Sequence, residues 1–167
     1  MSDTILYELA ERAGQALNER RLMVTTAESC TGGWVAEAIT MVPGSSAWFE
    51  RGFVTYTNIS KREMLGVRAE TLDAHGAVSE PVVREMVRGA LEFSHAQIAL
   101  AVSGTAGPGG GTPQKPVGTV CVGWGAKNSE PRTETLHLAG DREAVRRQSV
   151  IRALTVLIEM LGPLASR

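Results

Sequence analysis

The sequence has few of the residues from which disulfide frameworks and metal centres are built. Its 167 residues include two cysteines, Cys30 and Cys121, and three histidines. Two isolated cysteines make neither a disulfide framework nor a metal-ligand spacing. The chain also lacks an apolar run near the roughly 18 residues that a transmembrane helix needs, and its amphipathic, acidic N-terminus is unlike a signal peptide. These absences predict a cytoplasmic protein with no metal and no membrane contact.

An excess of charge of one sign is also absent. There are 17 Lys and Arg residues against 18 Asp and Glu residues, and the charges are scattered along the chain. The net charge of −1 excludes a protein that holds nucleic acid or a membrane surface by electrostatic attraction. Hydrophobic residues make up 43% of the chain, and a chain of this length can enclose a sizeable core. We therefore expect one domain over residues 1–167, with no nucleic-acid partner.

The hydrophobic residues that are present alternate between helical and strand-like spacing. Helices are predicted from an N-cap at Asp3 onwards, over 32–42, 60–67 and 141–161, and as two pieces inside 70–93, the second capped by Ser79. Strands are predicted at 21–29, 48–58, 96–104 and 117–125, with a weaker candidate at 133–139. Strands separated by helices favour an α/β sandwich with a mixed, largely parallel sheet.

Polar clusters follow three of these strands. They are AESCTGG at 27–33, VTYTNISK at 54–61 and SGTAGPGGGTPQKPVG at 103–118. Open α/β sheets bind their ligands in the crevice outside the carboxyl ends of the strands. The three clusters are therefore expected at a ligand crevice.

The first cluster puts Ser29 on a tight turn from a strand into a helix. Gly32 and Gly33 allow close backbone approach and unusual dihedrals, and the N-terminus of the following helix offers N–H groups suited to a phosphate or an oxyanion. The alternative is a helix cap made of Ser and Thr, with glycines only for the turn. The pattern is not the G-x-S-x-G of α/β-hydrolases, because both outer glycines are missing. Cys30 is either a rival nucleophile or a small buried hydrophobic residue.

The second cluster contains Lys61, near the start of a helix. Such a lysine is either a solvated surface residue or a functional one. No His–Asp–Ser arrangement is evident in the sequence. If Ser29 is a nucleophile, its base is therefore another residue type, and lysine is the leading candidate.

The third cluster is a loop with six glycines and three prolines. It matches neither the P-loop nor the G-x-G-x-x-G pattern. The alternative is a surface connection without function. Loops of this length are uncommon inside compact domains and are usually functional, which favours a role in binding.

Several segments resemble the CinA C-terminal domain family in order and spacing. They are TTAESCTGGWVAEAIT, PGSSAWFERGFVTYTN, LGV, HGAVSEPVV, SGTAGPGGGTPQKPVGTV and GDREAVRRQ, and the resemblance extends from about residue 3 to residue 160. It is to the stand-alone form of the family, without the N-terminal molybdopterin-binding-like domain of its two-domain members. The resemblance implies a three-layer α/β/α domain that is commonly assembled as a homodimer.

The activity that the resemblance implies is an amidohydrolase reaction of pyridine nucleotide salvage. Nicotinamide mononucleotide and water become nicotinate mononucleotide and ammonia, without a metal or other cofactor. Carried onto this sequence, the resemblance implies Ser29 as the nucleophile and Lys61 as the base, with Tyr56 and Thr105 close by. A lysine acts as a base only when neutral, which requires burial or a neighbouring cation to lower its pKa.

Substrate contacts are expected in the three clusters and at the start of the last helix. The backbone N–H groups from Cys30 to Gly32 are placed to hold an oxyanion, and a phosphate needs N–H groups or arginine. Arg142 and Arg146 share a helical face because they are four residues apart, although this spacing is also typical of a solvated stripe. The predicted contacts are Cys30, Thr31, Gly32, Gly33, Asn58, Ser103, Gly104, Gly107, Gly109, Gly110, Arg142 and Arg146.

Two rival functions stay open at this point. One is a non-catalytic nucleotide-binding or competence-associated partner protein, which keeps the pocket without turnover. The other is an amidase for a different amide, such as free nicotinamide, and the phosphate-suited loops argue against it. Release of ammonia from nicotinamide mononucleotide separates the enzyme from the binding protein.

Overall fold

The computed structural model describes residues 3–163, in which six helices surround one five-stranded sheet. The helices are α1 (Thr4–Glu19), α2 (Trp34–Thr40), α3 (Asn58–Leu65), α4 (Ala69–His75), α5 (Glu80–Glu92) and α6 (Arg142–Leu161), with a 3-10 turn at Ser45–Ala47. The strands are β1 (Val24–Glu28), β2 (Phe49–Val54), β3 (Ile98–Gly104), β4 (Thr119–Ala126) and β5 (Arg132–His137). Every predicted helix and strand is present.

The order of the strands in the sheet is β2-β1-β3-β4-β5. β1 pairs in parallel with both β2 and β3, and β4 pairs antiparallel to both β3 and β5. Of the five described strands, β4 alone runs against the others, which confirms the mixed, largely parallel sheet. The neighbouring strands β2, β1 and β3 end at one edge, and the loops that follow them lie there.

Helices cover both faces of the sheet, so the fold is the expected three-layer α/β/α sandwich. Side chains alternate along β3. Leu100 and Val102 pack with α1, α2 and α6, whereas Ala99 and Ala101 pack with α4 and α5. The small residues on the second face let α5 lie close to the sheet. Within residues 3–163, no helix is both long enough and apolar enough to cross a membrane.

The helix caps agree with the sequence pattern. Asp3 and Ser79 each accept a hydrogen bond from the backbone N–H three residues on, at the starts of α1 and α5. Asp141 caps α6 in the same way. These bonds satisfy N–H groups that have no partner within their own helix. The cap side chains therefore set where the helices begin.

The boundary between β2 and α3 differs from the prediction. The predicted strand extended to Asn58, but β2 ends at Val54 and Asn58 is the first residue of α3. The Thr57 hydroxyl accepts a hydrogen bond from the Ser60 N–H, and Ser60 Oγ accepts one from the Thr57 N–H. This capping box starts the helix early, so that Lys61 lies near the beginning of α3 and reaches back towards the end of β1.

A glycine sets the distance between α3 and α5. A side chain at Gly89 of α5 would overlap the carbonyl group of Leu65, the last residue of α3. The missing side chain lets the two helices cross closely. This packing holds α3, and with it Lys61, against the body of the domain.

Candidate active site

Backbone hydrogen bonds join the ends of β1, β2 and β3 at the carboxyl edge of the sheet. The Ser29 N–H donates to the Val102 carbonyl at 2.9 Å, and the Thr55 N–H donates to the Glu28 carbonyl at 2.8 Å. These two bonds bring the turn at 29–33 and the segment at 55–57 side by side.

Lys61 reaches the Ser29 hydroxyl from α3. Its Nζ lies 2.9 Å from Ser29 Oγ and donates to the Thr55 carbonyl at 2.8 Å. The Tyr56 carbonyl lies 3.4 Å from both Nζ and Ser29 Oγ. The lysine is 1% exposed and the serine is 7% exposed. The alternative of a solvated surface lysine is therefore wrong.

The pKa of Lys61 is low because the ammonium group is buried. Burial lowers this pKa to about 8, from an ordinary value of 10.5. Among the residues that the structure describes, no carboxylate lies within ion-pair distance of its Nζ. The Thr55 carbonyl orients the amine without supplying a full negative charge. At pH 7 about one tenth of the molecules consequently carry a neutral lysine, which can accept the Ser29 proton.

Cys30, next to Ser29, has the environment of a core residue. Its thiol is buried within the hydrophobic cluster that covers one face of the sheet. Burial raises the pKa of this thiol to about 11. The thiolate is the reactive form of cysteine, and it is scarce at neutral pH here. Of the two interpretations of Cys30, the geometry favours the small buried hydrophobic residue.

The Glu28 carboxylate organises the turn from inside the protein. This residue is completely buried at the end of β1. Its Oε1 accepts hydrogen bonds from the Thr31 hydroxyl and the Val35 N–H, both at 2.7 Å, and its Oε2 accepts one from the Ala36 N–H at 3.0 Å. Burial raises the pKa of Glu28, and these donors oppose the rise. The expectation that the N-terminus of α2 offers free N–H groups to a ligand is wrong for its first three residues. Glu28 binds the N–H groups of Val35 and Ala36, and the Trp34 N–H donates to the Thr31 carbonyl.

Replacement of Glu28 by glutamine is expected to lower the free energy of unfolding by about 1–3 kcal/mol. The glutamine amide has one acceptor oxygen, so its NH₂ group faces one of the buried donors and leaves that donor unpaired. Urea denaturation of the two proteins measures the difference. Glu37→Gln is the matched control, because Glu37 is exposed on α2, the helix whose N-terminus Glu28 caps. Equal stability of wild type and Glu28→Gln would mean that the turn does not depend on the carboxylate.

Two backbone N–H groups that follow Ser29 have no hydrogen-bond acceptor within the described part of the protein. Within the described residues, no oxygen accepts a hydrogen bond from the N–H of Cys30 or of Thr31. The Gly32 N–H was predicted to be available too, but it donates to the Ser29 carbonyl at 3.0 Å. Of the three predicted donors, the N–H groups of Cys30 and Thr31 therefore remain as candidates to bind an oxyanion.

Arg142 and Arg146 have different environments although they share α6. Arg142 is exposed, and it donates to the Gly107 carbonyl at 2.8 Å and to the Tyr56 hydroxyl at 2.9 Å. It therefore connects the glycine-rich loop with the segment after β2. Arg146 is half-buried against the turn that follows Ser29, where it donates to two backbone carbonyls. The two arginines have equivalent positions by spacing, but Arg142 is a surface residue and Arg146 is partly buried.

The chain matches the model of a known family, described as the CinA C-terminal domain, over residues 6–161. The chain belongs to this family. It is 57% identical over 157 residues to the nicotinamide-nucleotide amidohydrolase PncC of Escherichia coli strain K12, a match that covers 94% of this chain and 95% of that protein.

Further relatives agree with the assignment to the CinA C-terminal domain family. The nicotinamide-nucleotide amidohydrolase PncC of Pseudomonas putida is 57% identical over 152 residues, which are 91% of this chain and 94% of that protein. The crystal structure of the competence/damage inducible protein CihA from Agrobacterium tumefaciens matches with a TM-score of 0.93 and 45% identity, over 98% of this chain and 99% of that one. The fold is therefore that of the family.

Some predicted substrate contacts of this CinA domain are occupied within the protein. The Ser103 hydroxyl donates to the Ala77 carbonyl at 2.8 Å. A side chain at Gly104 would collide with Val120 of β4. The Thr31 hydroxyl donates to Glu28, as described above. The two hydroxyls therefore donate within the protein and Gly104 has no room for a side chain, while the contact of these three residues with a substrate stays a prediction.

The remaining predicted contacts lie on the turn or are exposed around the site. Gly32 and Gly33 have φ of +61° and +103°, a left-handed conformation that other residues rarely adopt. Gly109 and Gly110 are exposed on the glycine-rich loop, the Thr105 methyl group lies near Gly110, and Asn58 is exposed at the start of α3. In residues 3–163, no three His, Cys, Asp or Glu side chains are grouped closely enough to hold a metal ion.

Sequence reasoning missed two features of the site. The first is the capping role of Glu28, for which a signal exists: a lone carboxylate ends an otherwise uncharged strand. The second is the pair of carbonyl groups, from Thr55 and Tyr56, that surround the lysine amine. Carbonyl acceptors leave no signal in a sequence, because every residue carries one.

Proposed function

We propose that this chain is an amidohydrolase that converts nicotinamide mononucleotide and water to nicotinate mononucleotide and ammonia. Ser29 is the nucleophile and Lys61 is the base. The observation that carries this proposal is the contact of 2.9 Å between Lys61 Nζ and Ser29 Oγ in a buried site. The names of the relatives from Escherichia coli and Pseudomonas putida, nicotinamide-nucleotide amidohydrolase, support the substrate. In this proposal residues 1–167 act as one domain, in the cytoplasm, as a homodimer without a cofactor.

The first half of the reaction forms an acyl-enzyme. Neutral Lys61 accepts the hydroxyl proton of Ser29, and Ser29 Oγ attacks the carboxamide carbon of the nicotinamide ring. The carbonyl oxygen becomes an oxyanion, to which the N–H groups of Cys30 and Thr31 donate hydrogen bonds. Protonated Lys61 then donates its proton to the amide nitrogen. The C–N bond breaks, ammonia leaves, and an ester joins Ser29 Oγ to the nicotinoyl group.

The second half of the reaction is hydrolysis of that ester. A water molecule gives one proton to neutral Lys61 as its oxygen attacks the ester carbon. The same two N–H groups hold the second oxyanion. When the intermediate collapses, Lys61 returns the proton to Ser29 Oγ and the nicotinate product is released. Lys61 therefore takes up and returns one proton in each half, which requires a pKa near the working pH.

Arg142 is the proposed partner of the substrate phosphate. Its guanidinium is exposed between the Tyr56 hydroxyl and the Gly107 carbonyl. Both of these partners are neutral acceptors, and a phosphate in their place would form stronger, charge-assisted hydrogen bonds. The exposed glycines of the same loop, Gly109 and Gly110, add backbone N–H groups that can approach an anion closely.

Ammonia release from nicotinamide mononucleotide by the purified protein tests the proposed function. We expect one ammonia and one nicotinate mononucleotide per turnover, and we expect turnover to survive dialysis against a strong chelator, because no step uses a metal. Wild type assayed with and without added divalent ions is the control. Nucleotide binding without ammonia would identify a non-catalytic binding protein, and equal turnover of free nicotinamide would identify a general amidase.

A further inference from the structure

Arg146 is clamped between α6 and the turn that follows Ser29. Its Nε donates to the Cys30 carbonyl at 3.0 Å, and its Nη2 donates to the Thr31 carbonyl at 3.2 Å. The guanidinium also lies over the ring of Trp34, with 5.4 Å between its central carbon and the ring centroid. Contacts of this kind hold the planar group in one orientation. Arg146 is therefore a fixed part of the turn.

The contact with the Cys30 carbonyl determines where one oxyanion donor, the Thr31 N–H, points. The Cys30 carbonyl and the Thr31 N–H belong to one planar trans peptide, so they point in opposite directions. With its oxygen bound to Arg146, this peptide directs the Thr31 N–H away from the guanidinium. The next peptide is fixed at both ends, because Arg146 binds the Thr31 carbonyl and the Gly32 N–H donates to the Ser29 carbonyl.

The backbone of the turn does not provide this rigidity by itself. Gly32 and Gly33 have the largest conformational freedom of any residue type, and both have positive φ here. Backbone hydrogen bonds hold part of the turn, because the Gly32 N–H donates to the Ser29 carbonyl and the Trp34 N–H donates to the Thr31 carbonyl, both at 3.0 Å. Within the described residues, no backbone N–H donates to the Cys30 carbonyl, so Arg146 is the group that binds this oxygen. On the other side of the turn, Glu28 accepts a hydrogen bond from the Thr31 hydroxyl at 2.7 Å.

We propose that Arg146 is a positioning residue for the oxyanion donors and not a ligand of the substrate phosphate. It holds the peptide between Cys30 and Thr31 in the orientation that hydrogen-bonds the tetrahedral intermediate, and it polarises that peptide so that the N–H becomes a stronger donor. This inference rests on the proposed amidohydrolase function. It gives different roles to two of the arginines of α6: Arg142 binds the substrate, and Arg146 positions the groups that stabilise the transition state.

Steady-state kinetics of Arg146→Gln and Arg146→Lys with nicotinamide mononucleotide test the inference. We expect kcat to fall by about 100-fold in both variants, because a small misplacement of catalytic groups costs about that factor. KM should change less than threefold, and the pH midpoint of kcat/KM should stay that of Lys61. Lysine keeps the charge but cannot bind two carbonyls with a planar fork. Arg147→Gln is the matched control, because Arg147 pairs with Asp3 away from the turn.

Three results would overturn the inference, two of them kinetic and one a measurement of folding. A raised KM with unchanged kcat would make Arg146 a phosphate ligand. Full activity of Arg146→Lys would mean that charge alone is needed. A loss explained entirely by a smaller folded fraction, measured by circular dichroism, would reduce Arg146 to a stabilising residue.

A second measurement tests the contact of Arg146 with the turn even if the proposed function is wrong. If the wild-type protein releases no ammonia, the proposed function is contradicted. Amide hydrogen exchange at Thr31, followed by NMR, still measures how firmly the peptide between Cys30 and Thr31 is held. We expect faster exchange at this amide in Arg146→Gln than in wild type, with unchanged exchange in the strands. The same exchange rate in both proteins would mean that Arg146 does not hold this peptide.

Discussion

Replacement of Ser29 by alanine is expected to lower kcat for nicotinamide mononucleotide by about four to six orders of magnitude, while the nucleotide still binds. Alanine has no oxygen to attack the carboxamide, and the site then has only Lys61 to activate a water molecule. The oxyanion donors belong to the backbone of Cys30 and Thr31, so the substitution leaves them in place. Ammonia release measures the loss, and isothermal titration calorimetry measures the remaining affinity.

Cys30→Ala is the control for this experiment. It removes the neighbouring thiol, whose pKa is raised to about 11 by burial, and leaves the serine intact. We expect at most a small loss of turnover, together with some loss of stability from the cavity in the core. If Ser29→Ala keeps more than about a tenth of wild-type turnover, direct attack by water replaces the acyl-enzyme mechanism.

Replacement of Lys61 by arginine is expected to lower kcat/KM by about 1,000- to 10,000-fold, as much as Lys61→Ala. Arginine keeps the positive charge, but it does not lose its proton in the accessible pH range and cannot act as a base. In wild type, kcat/KM should rise about tenfold per pH unit below the Lys61 pKa of about 8 and level off above it. The residual activity of Lys61→Arg should not follow this curve.

The pH profile decides which residue is the base. Turnover of both proteins from mildly acidic to alkaline pH is the measurement. A Lys61→Arg enzyme with substantial turnover would leave Lys61 an electrostatic role. Tyr56 would then be the next candidate, although its hydroxyl lies against Arg142 and only its carbonyl approaches the lysine.

The same buried lysine should make stability depend on pH. Its pKa is lower in the folded state, at about 8, than the value of 10.5 expected for the unfolded chain. Between these values the unfolded chain binds a proton on this lysine that the folded protein does not, so the contribution of Lys61 to stability rises with pH in this window and is lost again as pH falls towards 8. The full difference corresponds to about 3 kcal/mol. Cys30, with its raised pKa, contributes in the opposite direction in wild type and in Lys61→Met alike. Lys61→Met should lack this rise in urea denaturation, and an equal rise in both proteins would contradict the lowered pKa.

The features that the sequence predicted well are those encoded by nearby residues. Asp3 and Ser79 mark helix starts because a side-chain oxygen three residues away satisfies a backbone N–H. The apolar runs predicted β3 and β4, because a strand buried on both faces needs apolar residues along most of its length. The placement of Ser29 at the carboxyl end of a strand followed from the same local pattern.

The wrong boundary after β2 shows where local pattern stops being sufficient. Residues 48–58 have the aromatic and β-branched composition of a longer strand. The reciprocal hydrogen bonds of Thr57 and Ser60 nevertheless start α3 at Asn58. The strand propensity of these residues competes with the helix cap formed by Thr57 and Ser60. The cap prevails because it satisfies two backbone N–H groups at once.

The order of helices and strands, the α/β class and the three polar clusters at strand ends follow from the sequence alone. The environment of each side chain in those clusters depends on how the elements pack together. By its spacing alone Lys61 could be a surface residue. It is a buried amine with a lowered pKa because α3 packs against α5 and places the amine beside Ser29, after the end of β1. Arg142 and Arg146 are equivalent by spacing, but the turn after β1 covers one of them and leaves the other exposed. Burial and hydrogen bonding depend on segments that are distant in the chain, whereas periodicity and capping depend on neighbours, and a sequence records only the neighbours directly.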